Sequence, residues 1–342
     1  MKRLLQVNQF LIGVVIAVLL AVLLPEWGAR GGLLRTEITT RLGVVVIFLI
    51  QGLTLPTEEL GRGLLAWRLH LFCQLFIVGV VPLVFYPAVL LLGNLPGSWG
   101  ALFAGDLRIG LLYLAMLPTT VSTAIVFATQ ARGRVTGAIF NTALSNILAV
   151  FIVPVWSAWL IGLSAPAGEG PAVMELLWTI AQLILLPLLV GQGLRPWLKG
   201  WAKARKQSLS RVNMWIIYFM VFAAFANSIE RGVWQTYGFG LLGAAFGATL
   251  SLLLIVSALA WLGSRWLLAD PAERVTAFFC ASQKSLASGL PMAGSIFVFD
   301  QPELGIVVLP LMLYHPLQIL LQGALIPKLA GTVPVSDAEP TA

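Results

Sequence analysis

The sequence predicts an all-α integral membrane protein: ten transmembrane helices, arranged as two inverted five-helix repeats with two broken, crossing helices. Three observations carry that expectation. Of 342 residues, 59% are hydrophobic and 10% charged, against about 25% charged in a soluble domain. The apolar residues fall in runs of about 17–25, the length of a hydrocarbon-crossing helix rather than of a barrel strand. Two of these runs carry a dense polar insertion at depth, LPTTVSTA from Leu117 and SQKSLASG from Ser282.

Taken in order, the first five spans are expected at Asn8–Leu24, Ile38–Leu53, Leu69–Leu92 (kinked at Pro82 and Pro87), Leu107–Gln130 and Val135–Ile161. The second five are expected at Ala172–Leu194, Val212–Ile229, Phe239–Leu267, 270–299 and Leu304–Ile326. Residues 1–162 form the first repeat, 163–171 a Pro/Gly-rich connection, 172–330 the second repeat and 331–342 a disordered polar tail. The first span, with a poor cleavage site at 25–29, reads as a retained helix rather than a signal peptide.

An odd number of spans per half puts the halves in opposite orientations. Arg108 precedes the first polar insertion and Arg274 the second, and Arg108–Ser122 and Arg274–Ser288 are equally spaced. Of the 21 Lys and Arg residues, Lys284 lies within a span. Five (Arg30, Arg35, Arg41, Arg108, Arg231) fall on the side opposite the N-terminus, and the remaining fifteen on its own side. The positive-inside rule then places both termini in the cytoplasm, in a multi-pass protein of the cell inner (plasma) membrane. The net charge of +7 is explained by these loops and not by nucleic acid. Trp197 and Trp201 share a helical face beside the basic loop RPWLKGWAKARKQSLSR and are placed to meet membrane lipid.

The chemistry concentrates at the two insertions. Ser282, Gln283, Lys284, Ser285 and Ser288 crowd together, and Gly289 and Pro291 follow and free backbone groups. Lys284 is too deep for easy snorkelling; a lysine there costs roughly 2.5–3.5 kcal/mol on insertion scales and faces a cavity or a partner. In span four, Pro118 frees a carbonyl that Thr119, Thr120, Ser122 and Thr123 can repair, or these hydroxyls can coordinate a cation. Span five adds Asn141, Thr142, Ser145 and Asn146, of which the last three share a face. Ordinary helix–helix hydrogen bonding also accounts for such residues. Gln74 and His315 are weaker candidates, and Glu58 and Glu59 read as helix-start carboxylates behind a Thr57 cap. Cys73 and Cys280, each within an apolar run, suggest neither disulfide nor metal, and no nucleophile–base pair or phosphate loop suggests an enzyme or a cofactor.

GLTLPTEEL at 52–60, LPTTVSTAIVFATQARG at 117–133, NTALSN at 141–146 and FCASQKSLASGLPMA at 279–293 resemble the bile acid:sodium symporter family, in its SBF-like branch. The resemblance spans nearly all of 8–327. It implies a panel domain and a core domain in which two broken helices cross, and sodium-coupled uptake of bile acids or related carboxylates. It places sodium ligands at Ser122-Thr123, near Thr142 and at Gln283. The carboxylate that the family pattern carries four residues before that glutamine falls on Phe279, and the asparagine after it is Lys284. A carboxylate is lost and a cation gained, which argues against ordinary two-sodium coupling.

The expected function is a secondary transporter moving a small organic anion by alternating access, with proton or Na+ as coupling ion. Two alternatives stand beside it: a proton or cation exchanger using Lys284, and a non-transporting membrane regulator with the same fold. In the exchanger the ion displaces Lys284; in sodium-independent, pH-dependent transport the Lys284 ammonium instead takes the sodium's place and donates to Gln283 and to hydroxyls of span four or five.

Overall fold

The computed structural model describes residues 2–54, 66–160, 178, 181–297 and 303–334. The expectations for Glu58 and Glu59, for the 163–171 connection and for 335–342 lie outside those residues.

The described residues are helical and contain no strand. The helices are α1 (Lys2–Leu23), α2 (Thr36–Thr54), α3 (Trp67–Gly93), α4 (Asp106–Met116), α5 (Ser122–Gln130) and α6 (Val135–Leu160). They continue with α7 (Leu186–Ala204), α8 (Lys206–Glu230), α9 (Val233–Leu267), α10 (Pro271–Ser282), α11 (Leu286–Ile296) and α12 (Leu304–Ala330). Six of them, α2, α3, α6, α8, α9 and α12, are long and apolar enough to cross a membrane. The pairs α4–α5 and α10–α11 are shorter helices separated by a few non-helical residues.

Local chemistry explains the irregular helices. Proline lacks the N–H that would continue the ladder. In α3 a π-helical turn at Phe76–Val80 precedes Pro82 and absorbs the missing bond; the helix then runs on through Pro87. In α9, Gly238 (φ 56°, ψ −156°) has a conformation that only glycine takes readily, and the membrane-length segment starts after it, at Gly240.

The helices pack in two groups. In the first, α2 lies against α7 and α8, and α1 lies against α8. Helices α2 and α7 touch backbone to backbone: a Cβ on Gly52 would collide with the Leu188 carbonyl, and one on Gly191 with that of Leu49. Small residues are what let membrane helices approach so closely. The buried Arg195 of α7 donates to the Leu53 carbonyl at 3.1 Å, satisfying an end-of-helix acceptor on α2. The second group holds α3–α6 and α9–α12, with α4 packed on α12 and α10 on α5 and α9. The first group meets the second mainly through α11, which lies against α2 and α8, and through α12 against α8.

The basic loop expected after span six is instead largely helix. It is divided between the end of α7 and the start of α8, with Trp197 and Trp201 exposed on α7. Good helix formers such as Lys, Arg, Ala and Leu dominate it.

Candidate functional site

Each break has a local cause. Pro118 cannot donate, and it pushes Leu117 into an extended conformation (φ −69°, ψ 147°), so α4 stops at Met116. The second break spans the non-helical residues Gln283–Ser285, with Gln283 and Ser285 extended. Ser285 then caps α11, its Oγ accepting from the Ser288 N–H at 3.2 Å. Gly289 and Pro291 were expected to contribute to the break. They do not: the Ser285 cap starts the helix ahead of them, and α11 continues through both. The Gly289 carbonyl accepts from Tyr113 of α4 at 2.6 Å, tying the two broken helices together.

The breaks meet. The Ser285 N–H donates to the Pro118 carbonyl at 2.8 Å. Gln283 Oε1 accepts from Thr120 (2.6 Å) and Thr123 (2.8 Å), whose hydroxyl oxygens lie close together. Lys284 is fully buried, and its Nζ donates to the carbonyls of Ala115 (2.8 Å) and Leu117 (2.9 Å). These belong to the end of α4, where unpaired carbonyls carry the negative end of the helix dipole. The expectation that the ammonium bonds Gln283 and nearby hydroxyls is therefore corrected. A helix end offers two acceptors that the proline break left open, and the lysine takes both. The carbonyls of Ala115, Leu117 and Pro118 are met by the other broken helix, not by hydroxyls of span four.

Helix α6 holds the first break. Ser145 Oγ accepts from the Thr119 N–H (3.2 Å), and Asn146 Nδ2 donates to the Thr119 carbonyl (3.0 Å). Asn146 Oδ1 accepts from Ser288 (2.7 Å) and from Gln51 of α2 (3.3 Å), joining three elements at one amide. Gln74 of α3 donates to the Asn141 side chain and carbonyl, both at 3.2 Å. Thr142 Oγ1 bonds back to its own helix at Ile139 (3.1 Å) and does not join the crossing, although it shares a face with Asn146. Ser122 is exposed at the start of α5, as is Val121 before it. The hydroxyl that reaches Gln283 along with Thr123 is that of Thr120.

Helix α12 holds the second break, through residues that sequence reasoning did not single out. Gln318 Oε1 accepts from the Lys284 N–H (2.7 Å), while its Nε2 donates to the Lys284 carbonyl (3.0 Å) and to His315 Nδ1 (3.0 Å). Tyr314 donates to the Ser282 carbonyl (2.8 Å). Gln322 Oε1 accepts from Gln283 Nε2 at 3.1 Å. Tyr314, Gln318 and Gln322 are spaced by four, one stripe of a helix, and two glutamines in an apolar span were the available signal. His315, a weaker candidate from sequence, meets both the Gln318 amide and the Lys284 backbone carbonyl. Phe279, where the family pattern carries a carboxylate, is buried edge-on to Phe127 (5.6 Å) and Phe278 (5.0 Å). Among the described residues no group of three His, Cys, Asp or Glu side chains lies close enough to hold a metal.

The sequence profile of the SBF-like CPA transporter family matches residues 8–331. The chain is 32% identical over 324 residues to sodium/bile acid cotransporter 7 of Danio rerio, covering 94% of this chain and 93% of that one. The Mus musculus protein of the same name is 30% identical over 324 residues, covering 94% and 92%. YfeH of Escherichia coli strain K12, whose name proposes a symporter, is 31% identical over 322 residues, covering 93% and 91%. With a matching profile along nearly its whole length and relatives of this kind, the chain belongs to the SBF-like CPA transporter family.

Proposed function

We propose that the protein is a secondary transporter that carries a small organic anion across the plasma membrane by alternating access, with ten spans in two inverted repeats, 1–162 and 172–330. The observation that carries the reading is the direct bond between the two breaks, Ser285 N–H to Pro118 carbonyl, with Gln283 against Thr120 and Thr123 beside it. Two helices broken at the same depth and touching there are how transporters build a midplane site. The repeat is supported by a shared device: Thr119 is held at both N–H and C=O by α6, and Lys284 at both by α12. Each of these would be the last helix of its half. Thr119 Oγ1 and Gln74 Oε1, buried near Asn141–Asn146, have no hydrogen-bond partner among the described residues, and such atoms are costly unless a ligand or water meets them. The relatives are named for sodium and bile acid, so a carboxylate of that class is the first substrate to try.

The coupling ion is proposed to be other than sodium. Sodium needs oxygen ligands and net negative charge; Phe279 supplies no carboxylate and Lys284 adds a cation. Two like charges 4 Å apart cost roughly 4 kcal/mol at an effective dielectric near 20, on the order of a thousandfold in affinity. Lys284 also favours a second reading, proton exchange, because a buried amine bonded only to neutral carbonyls can load and release a proton. The test is uptake of radiolabelled cholate into proteoliposomes, with sodium replaced by choline and the external pH varied. Uptake that survives choline and follows pH supports the proposal. Steep sodium dependence together with indifference to Lys284→Ala overturns it. No flux of cholate or of protons would favour the non-transporting regulator.

A further inference from the structure

The hydrogen bonds behind Gln283 have a fixed direction. Ser282 Oγ donates to the Phe278 carbonyl at 2.5 Å, so its proton is spent and it can only accept. Gln322 therefore presents Nε2 to it, at 2.9 Å, and the same nitrogen reaches Ser257 Oγ at 3.2 Å. That leaves Gln322 Oε1 to face Gln283, which must offer its own Nε2, at 3.1 Å. Gln283 Oε1 is thereby the only atom of that amide left for span four, where Thr120 and Thr123 donate to it. An amide's two ends are otherwise interchangeable in shape, so what lies behind it decides which end is shown. Gln283, Gln322 and Ser282 are all buried, where a mismatched donor or acceptor is not repaired by water.

We propose that Gln322 is a positioning residue that sets the polarity of the crossing: it makes Gln283 present an oxygen, never an N–H, to the first break. On the transport reading, on which this rests, the crossing at Gln283, Thr120 and Thr123 then accepts a cation or a hydrogen-bond donor and rejects a carboxylate group. An anionic substrate is held elsewhere in the site, with its carboxylate away from Gln283. Gln322 acts only through Gln283.

The test compares Gln322→Met, which keeps volume but removes the acceptor, with Gln322→Glu, which keeps an acceptor for Gln283 Nε2. Full-length protein in nanodiscs is followed by hydrogen–deuterium exchange over residues 117–124, which Gln322 does not bond. Freed to flip, Gln283 in the Met variant aims an N–H at the threonines, and exchange over 117–124 should rise at least about threefold. The Glu variant should stay near the parent. If burial alone mattered, the apolar Met would be tolerated better than the buried Glu. Should the Met variant not fold, Ser282→Ala removes the acceptor that fixes the direction of Gln322 and is expected to move the same segment in the same sense. Equal exchange in the Met and Glu variants, or no effect of either Gln322→Met or Ser282→Ala on 117–124, overturns the proposal. Cholate uptake is measured alongside. Absent uptake with the ordered exchange pattern would fail the transport reading and leave the polarity relay standing.

Discussion

Gln318 holds Lys284 at both ends of its backbone, accepting from its N–H at 2.7 Å and donating to its carbonyl at 3.0 Å. One side-chain amide thus does for a residue outside any helix what a neighbouring strand does in a sheet. Inside a membrane this matters more than in water, because an open helix break leaves backbone groups with no solvent to repair them. The first break obtains the same service at Thr119 from two residues, Ser145 and Asn146.

Replacing Gln318 with methionine keeps the volume and removes both bonds. The buried Lys284 N–H is left unpaired, at about 1–3 kcal/mol, and its carbonyl loses one of its donors. The expected result is a lower unfolding midpoint and faster amide exchange at Lys284 and Ser285, with 117–121 little changed. A midpoint equal to that of the parent would show that the break holds itself open without α12.

Lys284→Met removes the donor to Ala115 and Leu117 at the end of α4. The methionine fits the space and avoids burying a charge, so a merely space-filling lysine would be replaced at no cost. Two orphaned carbonyls should instead cost roughly 2–4 kcal/mol, read as the shift in a denaturant midpoint, and Lys284→Arg should recover part of it. A Met variant as stable as the parent would remove the capping role.

Asp106 lies at the mouth of span four, outside the membrane segment, where its Oδ2 accepts from the Glu303 N–H at 3.2 Å. Burial raises its carboxyl above the ordinary 3.8; the Glu303 N–H works against that rise and the Glu303 charge adds to it. Glu303 itself is paired with Arg231 at 2.7 Å. The folded state therefore binds the Asp106 proton more tightly than the unfolded chain does. The resulting stability is fully present below 3.8 and is lost as pH rises through the folded value. Asp106→Asn should flatten the fall in melting temperature as pH rises above 3.8, and change little below it. An unchanged slope in this variant would assign the acid dependence to other carboxylates.

The helical membrane class, the place of both breaks and the density of polar groups around them were all written in the sequence. Each depends on composition within one short stretch: a proline after Leu117, or five polar residues from Ser282 within an apolar run. The partners of those groups were not legible there, because partners are set by which helices are neighbours. Tertiary packing gave Lys284 to the carbonyls of α4 rather than to Gln283, and left Thr142 on its own helix while Ser145 and Asn146 reached across. It also brought α12 beside the second break, which turned Gln318 and Gln322 from two glutamines in an apolar run into the groups that hold Lys284 and Gln283. Sequence determines where a membrane chain must leave unpaired polar groups; only the fold decides which distant side chain answers each one, since a hydrogen bond needs an atom within about 3 Å and neighbours in sequence do not supply it.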